Sequence, residues 1–329
     1  MRFWSRTGMH SLSPRARPGL FLAWGVLCAA GFALFLGPAI TALGGGWDFL
    51  PVYTGAKLAG TPDLYNAAAQ ERTQALLPHP TTFSLPFMRL PFVAALTWPL
   101  AMLPYDAAHT VWMALRLAAV AGFVLLWPHS PRPLTTLACA WFVPLAGAIA
   151  NGQDSPFLLL WIAAAERIRE RAPFSAGLLL SLCLAKFHLF LLLPVFLWIH
   201  RRRVVAGFTA GCAALGLISF AVSGPAWPRA YLAILKLPQA NPAVGAMPNL
   251  HGLNLAMPFE TALSVGVFAA ATFGIRRLSD RPAFFVMLVA GILLSYHAYF
   301  ADLTLLLPAL LVLAPHRAAA PVLEPAGAN

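Results

Sequence analysis

Charged residues are scarce in this chain of 329 residues. They make up 10% of it, whereas 60% of the residues are hydrophobic, and the mean hydropathy is +0.73. A soluble domain carries about 25% charged residues, and a disordered chain combines low hydrophobicity with high charge. The composition therefore excludes both classes and predicts an all-α, polytopic membrane protein that forms one domain over residues 1–329.

Cysteine is also rare, and it does not occur in pairs. The chain has Cys28, Cys139, Cys183 and Cys212, each within an apolar run and none in a CxxC motif. This spacing is typical of small buried hydrophobic residues and not of disulfides or metal ligands. The sequence also lacks a DxD motif and any zinc-finger spacing. We predict no metal, no cofactor and no nucleic-acid partner.

The net charge of +11 is explained by topology. Basic residues collect in the cytoplasmic loops of membrane proteins and fix their orientation. Fifteen of the 22 Lys and Arg residues fall in segments that we assign to the cytoplasm. The basic N-terminus (1–17) and the C-terminal tail (315–329) are both assigned to that side.

Apolar runs between the basic clusters predict about ten membrane crossings. Six are single helices, at 18–42, 106–127, 134–150, 155–166, 204–222 and 259–275. Four form two short helical hairpins, at 174–199 and 283–314, which turn at AKFH and SYHAYFAD. The extracytoplasmic segments are 44–104, which contains a juxtamembrane or re-entrant helix near its end, and 223–258.

Many polar side chains fall at the extracytoplasmic ends of these predicted helices, and the basic clusters that define the topology do not by themselves require this. An ionisable group at membrane depth costs about 2.5–3.5 kcal/mol, and such groups usually mark a functional site. Ordinary loop polarity explains Asp63, Glu71 and Arg72 well, but it explains Lys186 and His188 poorly, since both interrupt a run of Leu, Phe and Ala. The polar side chains at these helix ends are Asp48, Asn151, Gln153, Asp154, His188, Asn249, His251, Asn254, His297 and Asp302.

Asp48 follows three glycines that end the first predicted helix. Its carboxylate is thereby expected at the membrane surface, where a fixed, partly desolvated carboxylate is suited to act as a general base. The alternative is an Asp that caps the next helix, which would begin near Pro51. The spacing alone favours neither interpretation.

The run WDFLPVYTGAKLAGTPDLY resembles the first-loop signature of glycosyltransferase family 87, the polyprenyl-phosphate-sugar-dependent mannosyltransferases of the GT-C superfamily. The matching residues are Asp48, Phe49, Tyr53, Ala56, Gly60, Leu64 and Tyr65. Further family-like segments follow in order. They are PLAMLP with Trp112, the Gly152-Gln153 turn, the hairpin with Gly177, Lys186 and Pro194, and the late turn SYHAYFADL.

The resemblance implies a GT-C-like enzyme of the cell membrane whose active site lies on the extracytoplasmic face. Its donor would be a hexose, commonly mannose, on a polyprenyl phosphate, and its acceptor a lipid or glycan of unknown identity. An acceptor hydroxyl would attack the anomeric carbon in one inverting displacement. The donor's lipid tail would lie between helices, and membrane lipids would be further partners of the protein.

The same resemblance suggests roles for individual residues. Asp48 would be the general base. Cationic groups must stabilise the leaving lipid phosphate, and the candidates are Lys186 first, followed by Arg89, His188 and His297. The acceptor or the sugar is expected to contact Tyr53, Tyr65, Gln153, Asn249 and His251.

The sequence is also compatible with other functions. A transporter also places polar residues within broken helices, although the polar groups here collect at one membrane face. Another enzyme that processes lipid-linked sugars, and an assembly subunit with an inactive site, are further alternatives. Away from the candidate site, Glu166, Glu170 and their neighbouring arginines read as a solvated cytoplasmic turn. Arg116 would pair with an acid or extend its charged group to the membrane surface.

Overall fold

The computed structural model describes residues 16–41, 47–78 and 85–314, and all regular secondary structure in these ranges is helical. The basic residues Arg2, Arg6 and Arg15, the three glycines at 44–46 and the predicted tail at 315–329 lie outside the described residues.

Sixteen α-helices follow one another in the described ranges, some of them extended by 3-10 turns. A π-helical turn (Phe32–Leu36) joins the first two, and 3-10 segments at Trp98–Met102, Leu182–Phe190 and Phe300–Leu305 adjoin α5, α10 and α16. The helices are α1 Ala16–Gly31, α2 Gly37–Thr41, α3 Phe49–Leu58, α4 Ala67–Ala75, α5 Pro91–Thr97, α6 Tyr105–Leu126, α7 Arg132–Trp141, α8 Val143–Ala150, α9 Ser155–Ile168, α10 Pro173–Ser181, α11 Leu193–His200, α12 Arg202–Ser223, α13 Trp227–Ile234, α14 Met257–Arg277, α15 Asp280–Leu294 and α16 Leu306–Leu311.

Five helical stretches in the described ranges are long and apolar enough to span a membrane: Gly19–Ala39, Tyr105–Leu126, Pro173–Phe190, Arg202–Ser223 and Met257–Arg277. A sixth is obtained if α7 and α8, which meet at an angle of 63°, form one broken span. Pro144 lies at the start of α8, and proline removes a helical hydrogen bond and kinks the chain. The positions of the predicted helices are confirmed, but ten crossings are not.

The predicted hairpin at 174–199 corresponds to α10 with its 3-10 extension, followed by α11. Lys186 breaks the helical geometry in the 3-10 part, with φ −129° and ψ 54°. Helices α10 and α12 run parallel to each other and are in backbone contact. Gly177 and Gly207 make this contact possible, because a Cβ at either position would clash with backbone atoms of the other helix. The contact holds α10 against α12 and so helps to position the 3-10 segment that carries Lys186.

The short helix predicted near residues 90–104 is present as α5 and its 3-10 extension. Pro91 occupies its first turn, where a missing N–H is tolerated. Phe92 and Ala94 are buried, whereas Leu96, Trp98 and Met102 are exposed. One face of this helix therefore packs on the protein and leaves a row of large apolar side chains uncovered.

Glu166 does not belong to a solvated turn, and the sequence prediction is wrong here. The residue is 5% exposed. It accepts hydrogen bonds from Arg201 and, at 2.8 Å, from His129 Nε2. Arg201 Nε also contacts Asp280 Oδ1 at 2.9 Å. Four segments distant in sequence thus meet in one buried polar cluster at the end predicted to face the cytoplasm, whereas Glu170 is exposed as expected.

Candidate active site

The turn at residues 151–154, between α8 and α9, lies at the end of the molecule opposite the Glu166 cluster. It holds several neighbouring segments in place. Gly152 has a positive φ of 81°, which glycine adopts without steric cost. Trp112 Nε1 donates to the Gly152 carbonyl at 2.8 Å. The backbone N–H of Asp48 donates to the Asn151 carbonyl at 2.8 Å. The first loop is thereby fixed next to Gln153 and Asp154.

Arg116 supports this turn by binding the end of α8, the helix that precedes it. It is fully buried, and its Nη1 donates to the carbonyls of Ile149 at 2.8 Å and Ala148 at 3.2 Å. These carbonyls belong to the last turn of α8, the negative end of the helix dipole. Arg116 therefore takes neither predicted role: it binds carbonyl groups and does not reach the surface.

Lys186 lies at the centre of a buried polar cluster, with 2% of its surface exposed. Its Nζ donates to Asp302 Oδ1 at 2.5 Å, Gln153 Oε1 at 2.6 Å and Ser155 Oγ at 3.2 Å. Asp154 Oδ1 lies 3.0 Å away. An ammonium group has three N–H donors, so protein groups already occupy all of them.

Asp154 joins Lys186 to Arg89. Arg89 Nε lies 2.8 Å from Asp154 Oδ2, and Nη2 lies 3.4 Å from Oδ1. Burial by itself would raise the pKa of the Asp154 carboxyl, but Arg89 and Lys186 hold that pKa well below its usual range. Asp154 is therefore an anion that fixes both cations.

Asp302 completes the cluster from the last predicted hairpin. Besides Lys186 Nζ, its carboxylate accepts the backbone N–H of Tyr299 at 3.0 Å. The sequence analysis predicts Asp154 and Asp302 at this end of the molecule but assigns neither a role. The available signal was that each is an isolated acid next to a predicted turn in a chain with only 11 acidic residues.

Asp48 precedes α3, which begins at Phe49 and not near Pro51. Its side chain makes no capping hydrogen bond, so the geometry gives the helix-cap interpretation no support. Burial raises the pKa of the Asp48 carboxyl, while Lys186, Arg89 and a hydrogen bond from Gln153 act in the opposite direction. Gln153 therefore connects Asp48 to Lys186 through its amide.

His297 and His188 lie on the side of the cluster formed by the late turn. His297 Nδ1 contacts Asn241 Oδ1 at 2.7 Å. Burial, with Arg89 and Lys186 nearby, lowers the pKa of His297 to about 4, so the ring is neutral at pH 7. His188 is buried, and its Nδ1 contacts Ser295 Oγ at 2.8 Å. This bond ties His188 to the turn that carries His297.

A cavity of about 330 Å³ opens beside this cluster. Its polar lining residues include Asp48, Arg89, Asn151, Gln153, His297 and Tyr299. Lys186 and His188 are not lining residues and lie behind this wall. Four of the predicted site residues, Asp48, Arg89, Gln153 and His297, thus face one space.

The other four predicted residues lie away from the cavity wall. Tyr53 is buried among aromatic rings and donates to the Leu103 carbonyl at 2.8 Å. Tyr65 donates to the Arg89 carbonyl at 2.7 Å, so it positions Arg89. Asn249 Nδ2 donates to the Ser295 carbonyl at 2.8 Å. His251 Nδ1 contacts Glu260 Oε1 at 2.8 Å.

The arrangement provides a carboxylate, an arginine and a neutral imidazole around a partly apolar space. Within the described ranges, no group of three or more His, Cys, Asp or Glu side chains is placed to hold a metal ion. The three acids of the cluster instead face Lys186 and Arg89. This site is suited to binding a polar group that carries negative charge and to accepting a proton from a hydroxyl.

A family model for glycosyltransferase family 87 matches residues 90–320, about two thirds of the chain. The chain belongs to glycosyltransferase family 87. The predicted resemblance is thereby confirmed, and the family assigns the chain to the membrane glycosyltransferases. No curated protein and no solved structure gives a match. The family 87 match includes Gln153, Lys186, His297 and Asp302, whereas Asp48 and Arg89 precede it.

Proposed function

We propose that this family 87 glycosyltransferase transfers a hexose, mannose in the first instance, from a polyprenyl-phosphate donor to an extracytoplasmic lipid or glycan acceptor. The observation that carries the proposal is that Asp48 and Arg89 line the same cavity. A base for the acceptor and a cation for the leaving phosphate are the two groups that this transfer needs.

Asp48 acts as the general base. The acceptor oxygen forms a bond to the anomeric carbon while the bond from that carbon to the donor phosphate breaks. The electron pair of the broken bond remains on the phosphate, and the hydroxyl proton passes to Asp48. A raised pKa favours this role, because proton transfer is most effective when the pKa of the base approaches the working pH. Attack from the face opposite the phosphate inverts the anomeric centre.

Arg89 stabilises the leaving phosphate. Lys186 was the first candidate from the sequence, but its three N–H groups are shared among four protein acceptors, on Asp302, Gln153, Asp154 and Ser155. Arg89 lines the cavity and uses Nε and Nη2 on Asp154, while its Nη1 makes no hydrogen bond to any described residue. Arginine suits phosphate because it presents several donors in one plane.

Lys186 is a positioning residue in this proposal. It holds Gln153 by the amide oxygen, and the amide nitrogen of Gln153 then points to Asp48. Neutral His297 contributes a hydrogen-bonding group next to the sugar and not a second positive charge. In this proposal Tyr65 supports the cavity wall through Arg89, and Asn249 holds the Ser295 carbonyl of the late turn. Tyr53 and His251 are assigned no substrate contact.

The test is sugar transfer by the purified full-length protein in detergent, where vectorial transport has no meaning. The protein is incubated with polyprenyl-phosphate [14C]mannose and a total membrane lipid and glycan extract. We expect radiolabel to move from the donor to a new product, with release of polyprenyl phosphate. The same assay with polyprenyl-phosphate glucose tests the sugar. Folded protein that consumes neither donor would contradict the proposal.

A further inference from the structure

A second cavity lies at the other end of the molecule. Helix α9 has 14 residues, so its two ends are about 20 Å apart at 1.5 Å per residue. The candidate active site adjoins its first residue, and this cavity of about 380 Å³ adjoins the end where Arg169 lies. Its ionisable lining residues, which define the basic cavity, are Arg169, Glu170, His200, Arg201, Arg202 and Arg203.

Part of the positive charge in the basic cavity is already compensated. Arg201 contacts Glu166 and Asp280, and Arg169 Nη1 lies 3.5 Å from Asp280 Oδ2. Arg202 and Arg203 are exposed, and neither forms an ion pair within the described part of the chain. These two arginines therefore present uncompensated charge to any anion that enters.

An apolar groove continues from the basic cavity. It has a volume of about 430 Å³, lies between α11 and α14, and shares Ile199 with the basic cavity. Its other lining residues are Pro194, Val195, Trp198, Thr272 and Arg276. Trp198 is 61% exposed, and Arg202 lies over its ring at 5.5 Å. Helix α14 is long and apolar enough to span the membrane and is largely uncovered by protein, so lipid has access to the groove.

We propose that the basic cavity and the apolar groove together bind one anionic phospholipid. Its phosphate lies between Arg202 and Arg203, and an acyl chain lies along Trp198 and Ile199. Basic pockets between membrane helices are suited to anionic head groups, and tryptophan is favoured at the level of the head groups. The two halves match an amphipathic ligand in both charge and apolar surface. This site is separate from the sugar-transfer site.

The test compares phosphatidylglycerol binding by the full-length protein and by the double variant Arg202→Gln/Arg203→Gln, using native mass spectrometry of lipid titrations in neutral detergent. Each basic residue near a lipid surface contributes about 1 kcal/mol, and 1.4 kcal/mol is a tenfold change in affinity. We therefore expect about 30-fold weaker binding in the variant. Both side chains are exposed, and thermal unfolding without lipid confirms that the variant folds.

Arg167→Gln/Arg171→Gln is the matched control, because both arginines are exposed at the same end and neither lines the basic cavity. It should bind phosphatidylglycerol like the wild type. Trp198→Ser should weaken phosphatidylglycerol but leave glycerol 3-phosphate, which lacks acyl chains, unaffected. Equal losses in both arginine pairs would overturn the proposal. So would phosphatidylcholine binding of equal strength, or inorganic phosphate competing as well as the lipid.

Discussion

Arg89 contacts Asp154 at two points, with Nε 2.8 Å from Oδ2 and Nη2 3.4 Å from Oδ1. The backbone of Arg89 is held as well, because its carbonyl accepts the Tyr65 hydroxyl at 2.7 Å. Asp154 is fixed in turn by Lys186. The guanidinium therefore reaches the cavity in a preset orientation, and a bound phosphate would not have to order it.

This orientation predicts that Arg89→Gln weakens use of the donor. A hydrogen bond to a charged group contributes about 1.5–3 kcal/mol, so kcat/KM for the polyprenyl-phosphate sugar should fall about 10- to 150-fold. Arg89→Lys should retain part of the activity, because it keeps the charge but not the planar set of donors. Arg72→Gln, an exposed arginine of the same loop, is the control. Unchanged kcat/KM in Arg89→Gln would remove Arg89 from the mechanism.

Lys186→Met is expected to destabilise the fold as well as reduce activity. It leaves Asp154 and Asp302 as buried acids without their shared cation, and breaking a buried ion pair costs about 3–5 kcal/mol. Thermal unfolding in detergent measures this loss. Lys57→Met, at an exposed lysine, should change stability by less than about 0.5 kcal/mol. A Lys186→Met protein as stable as the wild type would show that Lys186 does not hold the cluster together.

The positions of the helices were predictable because proline, glycine and basic residues mark their ends locally. The break at Lys186 was also predictable, since a lysine in a run of Leu, Phe and Ala must leave the membrane interior or find partners. The number of membrane crossings was not predictable from the sequence. Charge alternation assigns a crossing to segments such as α9 and α11, although α11 has only eight residues.

The partners of the buried charges could not be read from the sequence either. Glu166 sits among arginines in the sequence, which favours a solvated turn, but Arg201 and Asp280 come from segments 35 and 114 positions away. The apolar neighbours of Lys186 in the sequence favour a functional role, and the family resemblance suggests that this role is contact with the donor phosphate. The acceptors of its N–H groups in the structure come from the turn after α8, the start of α9 and the last predicted hairpin. Tertiary packing alone brings these segments together.

His297 should make stability depend on pH. Its pKa in the folded protein is about 4, against 6.5 for an ordinary histidine. The unfolded state therefore binds more protons between these values, and stability falls as the pH drops from 6.5 towards 4. The full shift corresponds to about 3 kcal/mol. Unfolding temperatures at pH 7.5 and 5.5 should differ less in His297→Gln than in the wild type; equal differences would mean that His297 is not held neutral by the fold.

The orientation of the site in the membrane is tested by cysteine labelling. A membrane-impermeant maleimide should label Asp63→Cys in intact cells, and should label Glu170→Cys only after permeabilisation. Cys28, Cys139 and Cys183 are buried, which keeps the background low, and a Cys212→Ser parent chain lowers it further. Labelling of Glu170→Cys in intact cells would place Asp48 and the cavity on the cytoplasmic side.

Asp48→Asn is the most direct test of the mechanism, since it preserves size and shape but removes proton acceptance. General base catalysis contributes about 10²–10⁴-fold, so turnover with a polyprenyl-phosphate sugar should fall by about that factor. The donor KM should change little, because in the proposed mechanism Arg89 and not Asp48 holds the phosphate.

The same substitution separates the two interpretations that the sequence left open for Asp48. Asparagine caps a helix about as well as aspartate, so a capping residue would tolerate the change, and Asp48 makes no capping bond in any case. Asp63→Asn makes the same chemical change in the same loop, outside the cavity, and should keep full activity.

The activity of the wild type should also depend on pH. Burial raises the pKa of the Asp48 carboxyl, and protonated Asp48 accepts no proton, so turnover should fall as the pH drops through the pKa of Asp48. Wild-type turnover in Asp48→Asn, with the unfolding temperature unchanged, would assign the proton transfer to another group on the cavity wall, and His297 would be the first to examine.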